Sequence, residues 1–68
     1  MEYRPQYKAA RAVRNLTQVD AATKLGIAPS TLSKWESGET EPTASQLFTM
    51  STVYGIETDK LIGRKELV

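Results

Sequence analysis

The sequence predicts an all-α fold, a compact five-helix bundle. Three observations carry this. Apolar residues recur every three to four positions along nearly the whole chain, the spacing of one helix face. No stretch of strand length alternates apolar and polar residues with period two. Gly26, Gly38, Gly55 and Gly63 fall where helices would stop, and residues suited to helix starts answer them.

The first helix is expected over 5–14, with Pro5 at its first position and Tyr3, Tyr7, Ala10 and Val13 on its apolar face. The second is expected over 18–25. Thr17 followed by Asp20 resembles a capping box in which Asp replaces the usual Glu or Gln, and Ala21, Ala22 and Leu25 form the inner face. The third is expected over 29–36, with Leu32 and Trp35 inward. Its cap position holds Ala28, where Ser or Thr is typically worth about 1 kcal/mol more. Pro29 offsets part of this by presetting the first turn. The fourth is expected over 44–54, behind Pro42 and a full capping box of Thr43 with Gln46, and buries Leu47, Met50 and Tyr54. A short fifth is expected over 59–63, capped by Thr58 and carrying Leu61 and Ile62. Residues 1–68 read as one domain with its core in 5–63 and a fraying tail at 64–68.

Composition narrows the function classes. A chain of 68 residues buries only about 60% of its unfolded surface, so its core is thin. With no Cys and no His, disulfides and the common zinc sites are excluded, and no metal or cofactor is expected. Helix packing, with or without a partner subunit, is then left to supply the stability. The same absences remove the usual bases and nucleophiles. There is no phosphate-cradling glycine loop and little volume for a pocket, so neither an enzyme nor a small-molecule substrate is expected. No apolar run approaches the ~18 residues of a membrane span, and the N-terminus lacks a signal-peptide pattern. A soluble cytoplasmic domain is the expectation, and the lack of Cys fits it.

Net charge is +1, but it is unevenly spread. Residues 1–34 carry six Lys/Arg against Glu2 and Asp20, a balance of +4. Residues 35–68 carry three against six acids, a balance of −3. A polyanion would meet the first half.

The informative window is Gln18 to Ser37, QVDAATKLGIAPSTLSKWES. A helix-turn-helix needs two helices crossing at about 90–120° through a tight turn. Ala22 is the small residue the crossing requires, and Gly26 supplies the left-handed turn position. Leu25 and Ile27 flank the turn; Leu32 and Trp35 line the second helix. With those inward, the opposite face of that helix carries Pro29, Ser30, Ser33, Lys34 and Ser37. Ser and Lys can contact base edges, and Ala28 and Pro29 can meet a thymine methyl. Thr17 and Thr31 are candidates for phosphate contacts, as are Thr40 and the backbone N–H groups near Ser37 to Thr40. Trp35 is expected in the core, since single-strand binders that stack bases interleave several aromatics with basic groups.

These residues resemble the phage-repressor/Cro-type, or XRE-like, helix-turn-helix family. Arg11 lies seven residues before Gln18, "LTQ" opens the second helix, and "WESG" matches the family's pattern after the recognition helix. Pro42, Leu47, the Gly55–Ile56 pair and Leu61 fall at the family's spacing, so the resemblance covers about residues 7–63. It implies a lambda-repressor-like bundle with helix three in the major groove of double-stranded DNA, and a repressor-like transcriptional regulator. It further implies that Gln18 bonds a backbone phosphate, and that Arg11 and Glu36 pair across helices one and three. Domains of this kind usually read half a site, so a homodimer on a palindromic operator is expected. Ile56, Leu61, Ile62, Leu67 and Val68 are the candidate dimer surface.

One stretch departs from the pattern. Glu39 and Glu41 stand where several relatives carry Lys or Arg near the phosphates. They favour the alternative reading, an antitoxin-like or partner-binding module of the same fold with weak or lost DNA binding.

Overall fold

The computed structural model describes residues 5–65. Five helices follow in order: α1 (Tyr7–Val13), α2 (Gln18–Leu25), α3 (Pro29–Ser37), α4 (Ala44–Tyr54) and α5 (Thr58–Leu61). The bounds of α2 and α4 are those the sequence predicts, and α3 runs one residue further, to Ser37. Both matched helices have a side-chain cap. Thr17 accepts from the Asp20 N–H, a one-sided cap. Thr43 and Gln46 form the reciprocal box, with bonds of 2.8 and 3.2 Å.

The two outer helices differ from expectation, and tertiary contacts are the reason. Pro5 is not in α1, whose N-cap is Gln6. The Gln6 backbone N–H donates to the Leu61 carbonyl at 2.8 Å, and its side-chain amide donates to the Lys60 and Lys65 carbonyls. The start of α1 is thus tied to the end of α5. Thr58 does not cap α5; Glu57, extended at φ −61° and ψ 150°, precedes it and Thr58 is its first residue. At the start of the tail expected to fray, the N–H groups of Arg64 and Lys65 both reach back to the Asp59 carbonyl.

The core gathers Tyr7 and Ala10 of α1, Ala21 and Ala22 of α2, Leu32 and Trp35 of α3, Met50 and Tyr54 of α4, then Ile56 and Leu61. Leu16, Leu25, Ile27, Leu47 and Val53 pack around it. The paired alanines let α2 lie close against both α3 and α4. Val13 is not on the buried face: it is 47% exposed. Each three-residue step along a helix turns the side chain back by about 60°, so Val13 has rotated about 120° away from Tyr7. Tyr3 lies outside the described residues.

Arg14, next to Val13, has a structural task. The guanidinium donates to the carbonyls of Tyr54 and Gly55, capping the C-terminal end of α4 where helical carbonyls lack partners. This clasp joins α1 to α4. Tyr54 itself is buried, and its hydroxyl has no hydrogen-bond partner among the described residues. Burial, helped by the nearby Glu36 carboxylate, pushes the phenol up to about 12.

Candidate nucleic-acid interface

The surface is built on the turn between α2 and α3. Gly26 ends α2 in the left-handed conformation, φ 71°, which costs an ordinary residue about 1–2 kcal/mol. Its N–H and that of Ile27 cap the last carbonyls of α2. Leu32 and Trp35, 0% and 3% exposed, then press α3 onto the bundle. With those two residues fixed, helical geometry turns Ser30, Ser33, Lys34 and Ser37 outward. All four are exposed, as are Ala28 and Pro29 at the start of the helix. Ala28 makes no side-chain cap, as its chemistry dictates. The six residues singled out for base reading therefore share one open face.

The orientation of α3 is held by a polar cluster. Arg11 donates from Nε to Glu36 Oε2 at 2.7 Å and from Nη2 to Glu36 Oε1 at 3.1 Å. Its Nη1 reaches the Leu16 carbonyl at 2.9 Å, so one side chain binds α1, the α1–α2 link and α3. The pair is largely desolvated, at 14% and 5% side-chain exposure, and the Glu36 hydrogen bond raises the Arg11 pKa further. Gln18, at the start of α2, donates Nε2 to Glu36 Oε1 at 3.1 Å. An amide nitrogen carries two hydrogens, so one remains for a second acceptor such as a phosphate oxygen. Burial of Arg11 and its three bonds agree with a positioning task rather than a base contact.

The other candidate phosphate contacts differ among themselves. Thr17 is exposed, its hydroxyl oxygen accepting from Asp20. Thr31 is half-buried and Thr40 exposed. The backbone N–H groups of Gly38, Glu39 and Thr40 are not open to an anion: the first donates to Trp35, the other two to the Lys34 carbonyl. Capping of α3 takes them, which leaves Thr40 its hydroxyl.

The proposed dimer surface needs a larger correction. Leu61 is fully buried and Ile56 is 8% exposed. Both close the core beneath α4 and α5, since a chain this short has few other apolar residues for that purpose. Ile62 is half-buried, and Leu67 and Val68 lie outside the described residues. The large apolar side chains that are exposed are Val13, Val19 and Phe48.

A residue outside the sequence-level candidates joins the site. Lys8 of α1 lines a groove with Arg11, Gln18, Ser33, Glu36 and Ser37. Nothing in the local sequence marks it, since only the packing of α1 on α3 brings it there. Among the described residues there is no cluster of acidic side chains able to hold a metal, and no helix long and apolar enough to cross a membrane.

Comparison with known proteins gives the same architecture. The chain superposes on the P22 c2 repressor protein, solved in complex with a synthetic operator, with a TM-score of 0.81 at 25% identity, over 88% of this chain and 91% of that one. A transcriptional regulator from Listeria innocua shares the fold, with a TM-score of 0.74 at 23% identity, over 96% of this chain and 64% of the other. In sequence, the chain is 32% identical to the HTH-type transcriptional activator BcrR of Enterococcus faecalis over 68 residues, and 37% identical to the HTH-type transcriptional regulator ImmR of Bacillus subtilis (strain 168) over 60. Those alignments take in 100% and 88% of this chain but only 33% and 47% of the relatives' lengths. An uncharacterised HTH-type regulator of Methanocaldococcus jannaschii is 33% identical over 79% of this chain and 82% of its own length. A helix-turn-helix family matches residues 8–61, from the groove lysine to the last helix, and the chain belongs to this Cro/C1-type, XRE-like helix-turn-helix family.

Proposed function

We propose that the chain is a sequence-specific double-stranded DNA-binding transcriptional regulator of repressor-like type, reading the major groove with α3. The observation that carries this is the division of α3 into a sealed face and an open one. Leu32 and Trp35 are buried, while Ala28, Pro29, Ser30, Ser33, Lys34 and Ser37 are exposed together. Short hydroxyl side chains permit a close approach to base edges, and Lys34 brings the one cation of that face. Thr17, Gln18, Thr31 and Thr40 serve the phosphates. The similar P22 c2 repressor, solved on operator DNA, supports the reading. The regulator acts in the cytoplasm as a homodimer, with recognition helices about 34 Å apart on a palindromic site.

Selection from random oligonucleotides tests this directly. The recovered site should be palindromic, and Ser30→Ala or Lys34→Ala should relax one position by about 1–3 kcal/mol. Recovery of no motif, or of the same motif with both variants, sinks the reading. One observation favours the second reading, a partner-binding module with weak DNA affinity. Glu39 and Glu41 are exposed beside α3 and form no ion pair among the described residues. A flat salt dependence of binding to random DNA would support it.

A further inference from the structure

Charged residues make up 25% of the chain, yet none lies in 42–56, the stretch that holds α4. The outer face of α4 runs from Ser45 through Phe48, Thr49 and Thr52 to Gly55, all exposed. Phe48 stands in the middle of it and, at 70%, is the most exposed of the large apolar side chains described. The hydroxyls around the ring are already bonded within the helix. Thr49 donates to the Ser45 carbonyl at 3.0 Å, and Thr52 to the Phe48 carbonyl at 3.2 Å. Ser45 and Thr43 share a hydroxyl–hydroxyl bond of 3.2 Å. Covering this face therefore strands none of those hydroxyls, which removes much of the cost of burying polar groups. A lone exposed ring is ordinary, but a ring centred on an uncharged, internally bonded helix face is suited to association.

We propose that through this face two copies of the chain pair, α4 against α4 in antiparallel sense, crossing at Phe48. The inference rests on the homodimer of the reading above and gives it a surface, since Ile56 and Leu61 are in the core. Two features single out a second copy as the occupant. A two-fold contact sets each residue near the axis against its own counterpart, so a charge there would meet itself. The stripe carries none. Charges away from the axis meet those at the opposite end instead. With Phe48 on the axis, the residue seven before it lies opposite the residue seven after it, which sets Glu41 opposite Gly55. Glu41 is exposed and forms no ion pair among the described residues. The Gly55 end of α4 carries the exposed Arg14, its guanidinium bound to the Tyr54 and Gly55 carbonyls. Each copy thus offers an anion at one end of the stripe and a cation at the other, and antiparallel pairing brings them together twice. Ser45 and Thr52, on either side of the ring, are small enough for the two helices to approach closely.

Sedimentation of the intact protein without DNA, parent against Phe48→Ser, is the first test. The parent should dimerise. Phe48→Ser should raise the dimer dissociation constant by about tenfold or more while keeping the helical circular dichroism of the parent. Because the chain has no Cys, Phe48→Cys is a second and independent test. A thiol at the axis should join its own counterpart on mild oxidation, whereas Val19→Cys, at an exposed position of α2, should not. Glu41→Lys should weaken the dimer as well, and more at low salt than at high. A parent-like dimer in Phe48→Ser overturns the surface and leaves the homodimer standing, as does cross-linking of Val19→Cys as fast as Phe48→Cys. Unchanged dimerisation of Glu41→Lys overturns the antiparallel arrangement. A parent that is monomeric at every concentration removes the homodimer and the surface together, and leaves the DNA contacts of α3 to be judged by the oligonucleotide selection.

Discussion

Glu36 and Glu57 each face a cation, but at opposite ends of a scale of burial. Glu36 meets Arg11 through two bonds, with side chains 5% and 14% exposed. Glu57 meets Lys65 at 3.3 Å, with side chains 52% and 55% exposed. The first pair joins two distant helices and sits against the core; the second joins the cap of α5 to the chain just beyond it. Water screens the second and cannot screen the first. A charged pair matters here by where it lies. The buried pair ties α1 to α3, the helix that carries the candidate DNA surface.

The largest effect should come from opening the buried pair. Arg11→Ala strands the Glu36 carboxylate and should cost about 3–5 kcal/mol, a large share of the stability of so small a domain. Thermal melting would show it as a fall of well over 10 °C, at roughly 4–8 °C per kcal/mol. DNA binding should weaken mainly because the folded population falls. If the variant melts like its parent yet does not bind, Arg11 contacts DNA and the positioning assignment is wrong.

Next in size is the alkaline limb. Below pH 10 the Tyr54 phenol is neutral in both folded and unfolded chains. Between about pH 10 and 12 the unfolded phenol loses its proton while the folded one keeps it, so stability falls across that window. The loss is of order 2 kcal/mol. Tyr54→Phe should flatten the limb, and near neutral pH it should be harmless or slightly stabilising because it removes an unpartnered buried hydroxyl. Chemical denaturation at pH 8 and 11 would decide it, and an unchanged pH 11 loss in the variant would reassign the effect.

Gln18→Ala should cost about 1 kcal/mol, through its bond to the shared Glu36 carboxylate. A double-mutant cycle with Glu36→Gln isolates that bond, and a coupling near zero would show that Gln18 is placed for the solvent face alone. Smallest of all, Lys65→Ala should change stability by less than about 0.5 kcal/mol, and by less still in high salt. A loss matching that of Arg11→Ala would erase the distinction between the two pairs.

Much of the helix-turn-helix was legible because its signals are local. Gly26, Ala22, Leu32 and Trp35 each answer a demand of the few residues around them, and the Thr43–Gln46 box marks its helix within one turn. The outward set on α3 follows from the same periodicity. The outer helices were less legible. Pro5 suggested a start that the bonds from Gln6 to α5 override, and Val13 continued a spacing that had already rotated off the buried face. Arg14 and Lys8 carried no local mark at all. Arg14 takes its task from the carbonyls of Tyr54 and Gly55, far along the chain, and Lys8 takes its place in the groove from the packing of α1 against α3.

The class of fold, the order of the helices and the outward face of α3 can all be read along the chain. Those depend on periodicity and caps, which act over a few residues. The packing of the helices was needed to show that Ile56 and Leu61 are buried in the core. It also showed that capping of α3 takes the N–H groups of 38–40 and that Glu36 is shared by Arg11 and Gln18. The physical reason is common to all three. Burial and hydrogen-bond supply are properties of the packed whole, which no local stretch of sequence fixes.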